Sequence, residues 1–447
     1  MTSPSHSAFE RNDDTAEARA DTGHRLGRFW RRKTVRFTIY IVTISTAVWF
    51  TATSSEPWVP SLPAPNAEEA GAARAAFWQL RGGGSVRDGG TPVALTGAQM
   101  AGISALATHG LRPDRLGASV RDGKLTIQAS RPLVGGRWLN LRATFVGKSS
   151  GFPPFRLSVG NITLPASFGR YPFELARAAL LLSGTDLAPL DKIVRAVVVE
   201  KEAVTATLKL PTKTGVIDRL AGLSSDAIDP KSVVRAYCNL AAQQRARPQQ
   251  DFEVQVRRAF AFGNTPASPG RNGAALVALA MFVADERAGY LAGVKEGQIR
   301  SCRIPLPGVT LYGRTDLPKH WALSAAISAA QGTQLARAIG EWKELADSLS
   351  PRSEFALGDP SGFSFVDVAA DRAGLRAAMA AMSGPTASVA AQRLAEATAD
   401  QLLPRSLLEK PDGLTSAEFE RHFGGLDAAR YQAAISDIDR ALTERWR

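Results

Sequence analysis

The spacing of hydrophobic and polar residues changes several times along the chain and divides it into segments of different character. Residues 37–55 carry no charge and are mostly apolar. Between residues 93 and 215, several short runs alternate apolar and polar residues, which is the period of a half-buried β-strand. From residue 216 onward, apolar residues recur every three to four positions, as in amphipathic helices. We therefore expect an α+β protein, with an antiparallel-sheet module followed by a mainly α-helical C-terminal domain.

The uncharged segment 37–55 has the length and composition of a single N-terminal transmembrane helix. At about 1.5 Å per residue it just spans a hydrocarbon core of about 30 Å. The basic residues before it are Arg25, Arg28, Arg31, Arg32, Lys33 and Arg36. By the positive-inside rule, residues 1–36 are a disordered basic cytoplasmic tail, and the rest of the chain lies outside. The expected location is a bacterial inner membrane, with a single pass and the bulk in the periplasm.

Two alternatives to the anchor stay open. A cleaved signal peptide is disfavoured because the apolar run is long and no clear Ala-x-Ala site follows it. A buried core helix is disfavoured because the basic residues flank only one side of the segment. The uncleaved anchor is the preferred interpretation.

The segments after the anchor predict a linker and then a sheet. Residues 56–92 are rich in Pro and Gly, which indicates a linker with one short helix. Residues 93–215 are expected to form the α+β domain. Its clearest hairpin surrounds Asp122 and Gly123, because two alternating runs flank an Asp-Gly pair that favours a two-residue turn.

Residues 216–447 are expected to form the helical domain. The segments with helical period are 232–245, 251–262, 273–283, 321–339, 386–403 and 428–446. The run from Ala275 to Val283 is apolar almost all round but too short to span a bilayer, so it predicts a core helix.

Composition and charge favour a folded, exported protein over a nucleic-acid-binding one. The 447 residues are 45% hydrophobic and 21% charged, with a formal net charge of +12. This length accommodates two or three domains. Part of the positive charge lies beside the apolar segment, which is typical of a membrane anchor. No zinc-finger spacing, RNA-binding aromatic motif or basic heptad region is present, so nucleic acid is not an expected partner.

Cys238 and Cys302 are the two cysteines. Neither belongs to a Cys-x-x-Cys pair, which argues against a zinc site. In an exported domain the compartment permits a disulfide between them. Two independent buried thiols are the alternative.

The stretch from Arg314 to Gly374 gathers a histidine and several carboxylates at helical spacing. Three successive helices are each expected to present a polar face. The first face carries His320 and Ser324, and the second carries Glu344 and Asp347 with Glu341 beside them. The third face carries Asp367, Asp371 and Gly374. Residues three or four apart are neighbours on a helix surface. If the three helices pack in this order, one imidazole and several carboxylates face one cleft.

Such a cleft suits acid–base chemistry or metal binding. Crowded carboxylates raise one another's pKa, and the catalytic candidates on this basis are His320, Glu344, Asp367 and Asp371. One imidazole and several carboxylates also suit a metal, and the candidate ligands are His320, Glu344, Asp347 and Asp371. The sequence predicts no cofactor, although a divalent metal is compatible with this pattern. The alternative is ordinary ion pairing, for which the adjacent partners are Lys319, Lys343 and Arg372.

Three short motifs in this stretch carry a family resemblance. They are Asp-x-x-Lys-His at Asp316–His320, Lys-Glu-x-x-Asp at Lys343–Asp347, and Ser-x-x-Asp-x-x-x-Asp-x-x-Gly at Ser364–Gly374. Residues 314–374 thereby resemble VanZ-like proteins and small YfiM-like envelope lipoproteins. The resemblance implies a cell-envelope setting and a lipid-linked or glycan-linked task, but no mechanism.

This chain departs from the first of those families in one respect. VanZ-like members place these residues between membrane helices. Here Gln331, Gln334 and Arg337 interrupt the Ala-rich helix, so we expect this region to lie outside the bilayer.

Two functions follow from the sequence. The first is a membrane-anchored periplasmic protein of cell-envelope biogenesis that acts as a binding or scaffold module. Its partners would be the lipid bilayer, through the N-terminal helix, and an envelope glycan, lipid or protein. The alternative is an envelope hydrolase or transferase, metal-dependent or not, that uses the His/Glu/Asp cluster. The sequence has no P-loop, Gly-x-Ser-x-Gly elbow, His-Glu-x-x-His motif or dinucleotide fingerprint.

Overall fold

The structure is a computed structural model, and it describes residues 37–82, 91–182, 189–208, 228–263, 266–353 and 361–445. The fold is α+β, with antiparallel sheets followed by a helical C-terminal region. The predicted cytoplasmic tail and the Gly-rich part of the predicted linker lie outside the described residues.

The predicted anchor segment is helical over residues 37–52, which we label α1. Its large apolar side chains, among them Phe37, Tyr40 and Phe50, are exposed. No helix in the described part of the chain is both long and apolar enough to cross a membrane. After α1, Thr53 and Ser54 form a short strand that pairs with Trp138 and Leu139. The last residues of the segment 37–55 are therefore not helical.

The strands form two antiparallel sheets. In chain order they are β1 (Thr53–Ser54), β2 (Thr91–Thr96), β3 (Arg115–Arg121), β4 (Lys124–Pro132), β5 (Trp138–Val146), β6 (Lys148–Ser150), β7 (Phe155–Val159), β8 (Ile162–Leu164), β9 (Val194–Val199) and β10 (Ala203–Leu208). The larger sheet has the order β3-β4-β5-β7-β8, with β1 beside β5. The smaller sheet has the order β2-β10-β9-β6.

The predicted hairpin at Asp122 and Gly123 is confirmed. Arg121 pairs with Lys124, so the turn has two residues. Asp122 and Gly123 have φ values of 51° and 71°. Two successive positive φ angles match the twist of the flanking strands, and an Asp-Gly pair tolerates them at low cost.

The α-helices of the described chain are numbered in chain order. After α1 they are α2 (Ala67–Gly82), α3 (Gly97–Gly110), α4 (Tyr171–Leu182), α5 (Leu190–Ile193), α6 (Pro230–Ala246), α7 (Phe252–Phe260), α8 (Pro269–Val283), α9 (Asp316–Gln331), α10 (Thr333–Asp347), α11 (Phe365–Met382), α12 (Ala387–Ala395), α13 (Ala399–Leu402), α14 (Ser416–Phe423) and α15 (Ala429–Arg445). The segment 321–339, which has the pattern of one helix, is divided between α9 and α10. Gly332 separates them with φ 91°, a conformation that only glycine adopts readily.

The segment predicted to be a linker is packed against the folded parts. The backbone N–H groups of Trp58 and Val59 both donate to Ser130 Oγ at 3.0 Å, and Val59 is buried. Helix α2 packs against α3 of the sheet module and against α10 of the helical region. Residues 56–82 therefore connect the two parts of the protein as structural elements.

The core of the helical region is built around α8. Residues from Leu276 to Met281 on this helix are fully buried, so the predicted core helix is confirmed. Helices α6, α9 and α11 pack around it. Apolar side chains on all sides of this segment allow other helices to surround it.

A disulfide joins Cys238 on α6 to Cys302 in the segment before α9. The two Cα atoms are 5.2 Å apart, and the residues are separated by 64 positions in the sequence. In the chain-entropy model, closing a loop of this size stabilises the fold by about 4 kcal/mol.

Helices α9 and α11 approach each other closely at Gly374. A Cβ atom at this position would lie 2.0 Å from the carbonyl oxygen of Trp321. Both residues are buried. Glycine is therefore required here by the close approach of two backbones.

We expect Gly374→Ala to destabilise the protein by about 1–3 kcal/mol or more, because α9 and α11 must separate to admit the methyl group. Gly270→Ala is the matched control, since Gly270 is also helical but has open space around its Cβ direction. The control should be neutral or slightly stabilising, because alanine favours helix over glycine. Urea unfolding of both variants tests this, and equal stability would contradict the close contact.

Candidate functional site

A buried polar cluster lies where α9, α10 and α11 meet. Helix α9 contributes His320 and Ser324, which lie one turn apart on the same face. Both side chains are buried, and His320 is 8% exposed. The close approach of α11 at Gly374 brings this face against the carboxylates of α11.

The start of α11 positions two of those carboxylates. Ser364 is the N-cap residue, and its Oγ accepts a hydrogen bond from the backbone N–H of Asp367 at 3.0 Å. Asp367 thus lies in the first turn, where the helix dipole favours a negative charge. Asp371 follows one turn later on the same face. Both side chains are buried.

The imidazole of His320 lies between these two carboxylates. Its Nδ1 is 3.2 Å from Asp371 Oδ1, and its Nε2 is 3.3 Å from Asp367 Oδ2. Ser324 Oγ donates to the same Asp371 oxygen at 2.7 Å. Asp371 Oδ2 is buried and has no hydrogen-bond partner among the described residues. The cluster therefore retains an acceptor that protein groups do not satisfy.

Helix α10 contributes Glu344, which is 0% exposed. Its Oε2 accepts the backbone N–H of Ser364 at 3.1 Å, and its Oε1 accepts from Lys343 Nζ at 3.1 Å. The same Oε1 lies 3.9 Å from His320 Nε2. Helices α10 and α11 thus place three carboxylates around the imidazole that α9 carries: Glu344 from α10, and Asp367 and Asp371 from α11.

Two cationic side chains lie between the cluster and the solvent. Arg314 Nη2 is 3.2 Å from Asp367 Oδ1 and 2.6 Å from Asp316 Oδ2. Arg314 is partly exposed, and Lys343 is about half exposed. These long side chains cover the cluster and offset part of its negative charge.

Burial and neighbouring charge together set the protonation of the cluster. Burial disfavours the imidazolium, but the carboxylates of Asp371 and Asp367 outweigh it and raise the pKa of His320 to about 9. Burial raises the pKa of Glu344 to about 7, against the attraction of Lys343 and His320. Burial also raises the pKa of Asp367, again against the attraction of His320. At neutral pH the imidazole is protonated, and Glu344 lies close to its midpoint.

The arrangement has the chemistry of a metal site. His320, Glu344 and Asp371 each offer a ligand atom, and these atoms all lie within 4.8 Å of one another. Nitrogen and carboxylate oxygen ligands of this kind suit Zn²⁺, Mn²⁺ or Fe²⁺. Small movements of the side chains would bring all three into a first coordination shell.

Asp347, which the helical spacing also suggests as a metal ligand, lies in a different arrangement. It forms an ion pair with Arg74 of α2, and Lys343 Nζ donates to its Oδ2 at 2.7 Å. The structure therefore places Asp347 beside the cluster, where it holds cations of the protein. The other candidates, His320, Glu344, Asp367 and Asp371, are brought together.

Sequence reasoning did not assign roles to Arg74 and Arg314. Arg314 pairs with Asp316, Asp367 and Asp412, so it ties the start of α9 to the start of α11. The two-residue spacing from Arg314 to Asp316 hints at the first pair. Arg74 gives no such indication, because its partner Asp347 is far away in the sequence.

A second buried ion cluster surrounds Glu341, three residues before Glu344. His109 Nε2 of the sheet module lies 3.3 Å from Glu341 Oε2. Arg337 Nε is 3.1 Å and Arg372 Nη1 is 3.8 Å from Glu341 Oε1. Burial alone would raise the pKa of Glu341, but His109 and the two arginines outweigh burial and lower it. This carboxylate is fully paired, in contrast to Asp371.

Comparison with known proteins adds no family to this description. No protein-family model, curated protein or solved structure matches the chain. The cluster must therefore be interpreted from its own geometry.

We expect the metal-free protein to lose stability as the pH rises from about 5 to 9. A group whose pKa is higher in the folded state stabilises the fold below its unfolded pKa, and that contribution is lost as the pH rises through its folded pKa. The contribution of Glu344 is lost between its ordinary pKa of 4.5 and about 7, and that of His320 between 6.5 and about 9.

Urea unfolding across this range, with a chelator present, measures the decline. His320→Gln should flatten the part between pH 6.5 and 9, because glutamine does not titrate. The comparison concerns the slope, so an overall loss of stability in the variant does not affect it. An equally steep decline in the variant would contradict the assignment.

Proposed function

We propose that this chain is a membrane-anchored protein of the cell envelope whose helical region binds a divalent metal ion through His320, Glu344 and Asp371. The observation that carries the proposal is that side chains of three helices meet at one place. Ligand atoms from three different helices lie within 4.8 Å of one another. Glu344 and Asp371 come from separate helices, and His320 from a third, so one local fold motif does not account for the grouping.

The charge balance of the cluster supports a bound cation. Among the described residues, the carboxylates in the connected ion pairs are Asp316, Glu344, Asp347, Asp367, Asp371 and Asp412. The cations that share them are Arg74, Arg314, His320 and Lys343. Two carboxylates about 4 Å apart repel by about 4 kcal/mol at an effective dielectric of 20. The carboxylates outnumber the cations by two. A divalent ion bound to neutral His320 would reduce that excess to one.

The groups around the His320 ring suit its use as a metal ligand. A metal binds the neutral imidazole, so binding requires that His320 lose its extra proton. Asp371 and Asp367 each lie against one ring nitrogen. Whichever nitrogen binds the ion, the other has a carboxylate to accept its N–H, which fixes the tautomer of the ring.

Three observations support the location in the envelope. The apolar helix α1 presents exposed Phe37 and Tyr40 and follows the basic cluster, as in a membrane anchor. The disulfide between Cys238 and Cys302 is typical of an oxidising compartment such as the periplasm. The resemblance of residues 314–374 to VanZ-like and YfiM-like proteins favours the same setting.

A binding or scaffold role fits the depth of the cluster better than catalysis does. Glu344 has no exposed surface, and Arg314 and Lys343 lie between the cluster and the solvent. The second candidate is an envelope hydrolase or transferase. It is favoured by the pKa of Glu344, about 7, which suits a general acid or base. That function requires Arg314 or Lys343 to move aside and admit a substrate.

The metal site is tested by titrating the chelator-treated full chain with Zn²⁺ and with Mn²⁺ in a calorimeter. Wild type should bind a single ion, and Asp371→Asn should weaken binding by at least about 10-fold. Asp347→Asn is the matched control, since Asp347 pairs with Arg74 and Lys343 and should change the affinity only slightly. Absence of binding to wild type, or equal losses in the two variants, would sink the proposal.

The orientation is tested by fusing alkaline phosphatase after Arg447, because that enzyme folds only when exported. We expect an active fusion. An inactive fusion, together with fluorescence of a cytosolic reporter at the same position, would reverse the proposed topology.

A further inference from the structure

A second candidate site is a groove between α10, α11, α12 and α15, on the far side of Glu341 from the sheet module. Its volume is about 720 Å³, within the range of roughly 300–1,000 Å³ that small-molecule sites occupy. Its charged lining residues are Arg337, Arg372, Arg376, Arg393 and Asp439. We call it the arginine groove.

Two of the guanidinium groups are held in place by the protein. Arg372 is bound through Nε and Nη2 to Asp439, and its side chain is 12% exposed. Its Nη1 is buried and has no hydrogen-bond partner among the described residues. Arg376 donates to Thr443 Oγ1 at 2.7 Å and to the carbonyl oxygen of Asp439 at 3.3 Å. Arg372 Nη1 lies 3.8 Å from Glu341 Oε1, so protein groups already hold both guanidinium groups, and an anion would find them in fixed positions.

Arg337 adds a third fixed guanidinium at the edge of the groove. Arg337 Nε donates to Glu341 Oε1 at 3.1 Å. Within the described residues, its Nη1 and Nη2 form no hydrogen bond. Among the described residues, the lining has four arginines and one carboxylate, Asp439, and Glu341 pairs with Arg337 and Arg372. The arginines therefore outnumber the carboxylates that contact them in this part of the chain. This charge favours an anion, and the planar fork of each guanidinium matches phosphate oxygens in particular.

The groove also has an apolar part. Met379 and Val389 are 52% and 53% exposed, and Leu375 and Ala390 lie beside them in the lining. Exposed apolar side chains that adjoin a charged pocket are typical of a site for an amphiphile. Inorganic phosphate alone would leave this surface in water.

We propose that the arginine groove binds the phosphate head of an anionic phospholipid and lays an acyl chain over Met379 and Val389. The charge selects the head, and the apolar surface selects the chain. This inference goes beyond the proposed metal site and does not depend on it, because the groove shares no residue with His320, Glu344 or Asp371.

The experiment uses the full chain in a non-ionic detergent and native mass spectrometry to measure lipid binding. The probes are dioctanoyl phosphatidylglycerol, dioctanoyl phosphatidylcholine and inorganic phosphate. We expect the anionic lipid to bind about 10-fold or more tightly than the zwitterionic one, because the arginine–phosphate hydrogen bonds are charge-assisted and no choline cation opposes them.

Variants assign the binding to the groove. The double variant Arg337→Gln/Arg393→Gln should lower the affinity for phosphatidylglycerol by about 10-fold or more. Arg440→Gln is the matched control, since Arg440 lies on α15, is exposed and pairs with Asp437. It should leave the affinity unchanged. Met379→Gln should weaken lipid binding and leave phosphate binding unaltered, because it changes only the apolar surface.

Several outcomes would overturn the proposal. Equal affinity for the two lipids would remove the role of charge, and equal losses in the double variant and in Arg440→Gln would remove the groove. Phosphate that binds as tightly as phosphatidylglycerol, with no effect of Met379→Gln, would assign the groove to a free anion instead of a lipid.

Discussion

The contact between the Trp321 carbonyl and Gly374 determines the distance between α9 and α11, and the polar cluster depends on that distance. His320 immediately precedes Trp321, and Asp371 lies one turn before Gly374, so the backbone contact sets the separation of imidazole and carboxylate. Gly340 on α10 has a related role, because a Cβ there would lie 2.7 Å from Asp371 Oδ2. Gly374 thus admits the Trp321 carbonyl, and Gly340 leaves room for the Asp371 carboxylate between α10 and α11.

Much of this arrangement was predictable from local spacing. Residues three and four apart share a helix face whatever surrounds them, so His320, Glu344 and Asp371 were expected to meet if their helices packed in order. The two-residue turn at Asp122 and Gly123 was predictable for the same reason, since its conformation depends on adjacent residues.

Contacts between distant segments were not predictable in this way. The sequence made Asp347 and Asp367 equally good candidates for the site. Arg74 on α2 holds Asp347 beside the cluster, and no local pattern joins Arg74 to Asp347. The predicted linker is packed in the fold for a similar reason. Its Pro-rich composition predicts a stiff, extended chain. The hydrogen bonds of Trp58 and Val59 to Ser130 depend on a strand about 70 residues later in the sequence, which the composition of the linker does not reveal.

Stability alone gives little reason to bury the charges of the His320 cluster. Replacing a buried ion pair with well-packed apolar residues is often neutral or stabilising, because removing charges from water costs more than their attraction returns. This protein packs α8, which is apolar from Gly273 to Val283, against α9 and α11, so apolar packing already fills the same layer. The Glu341 cluster is a buried network whose carboxylate is fully paired with His109, Arg337 and Arg372. Unpaired buried atoms occur in both clusters among the described residues: Asp371 Oδ2 in the His320 cluster, and His109 Nδ1 and Arg372 Nη1 in the Glu341 cluster. The two clusters therefore differ in their carboxylates, because His109 and the neighbouring arginines lower the pKa of Glu341, whereas burial raises that of Glu344 against the attraction of Lys343 and His320.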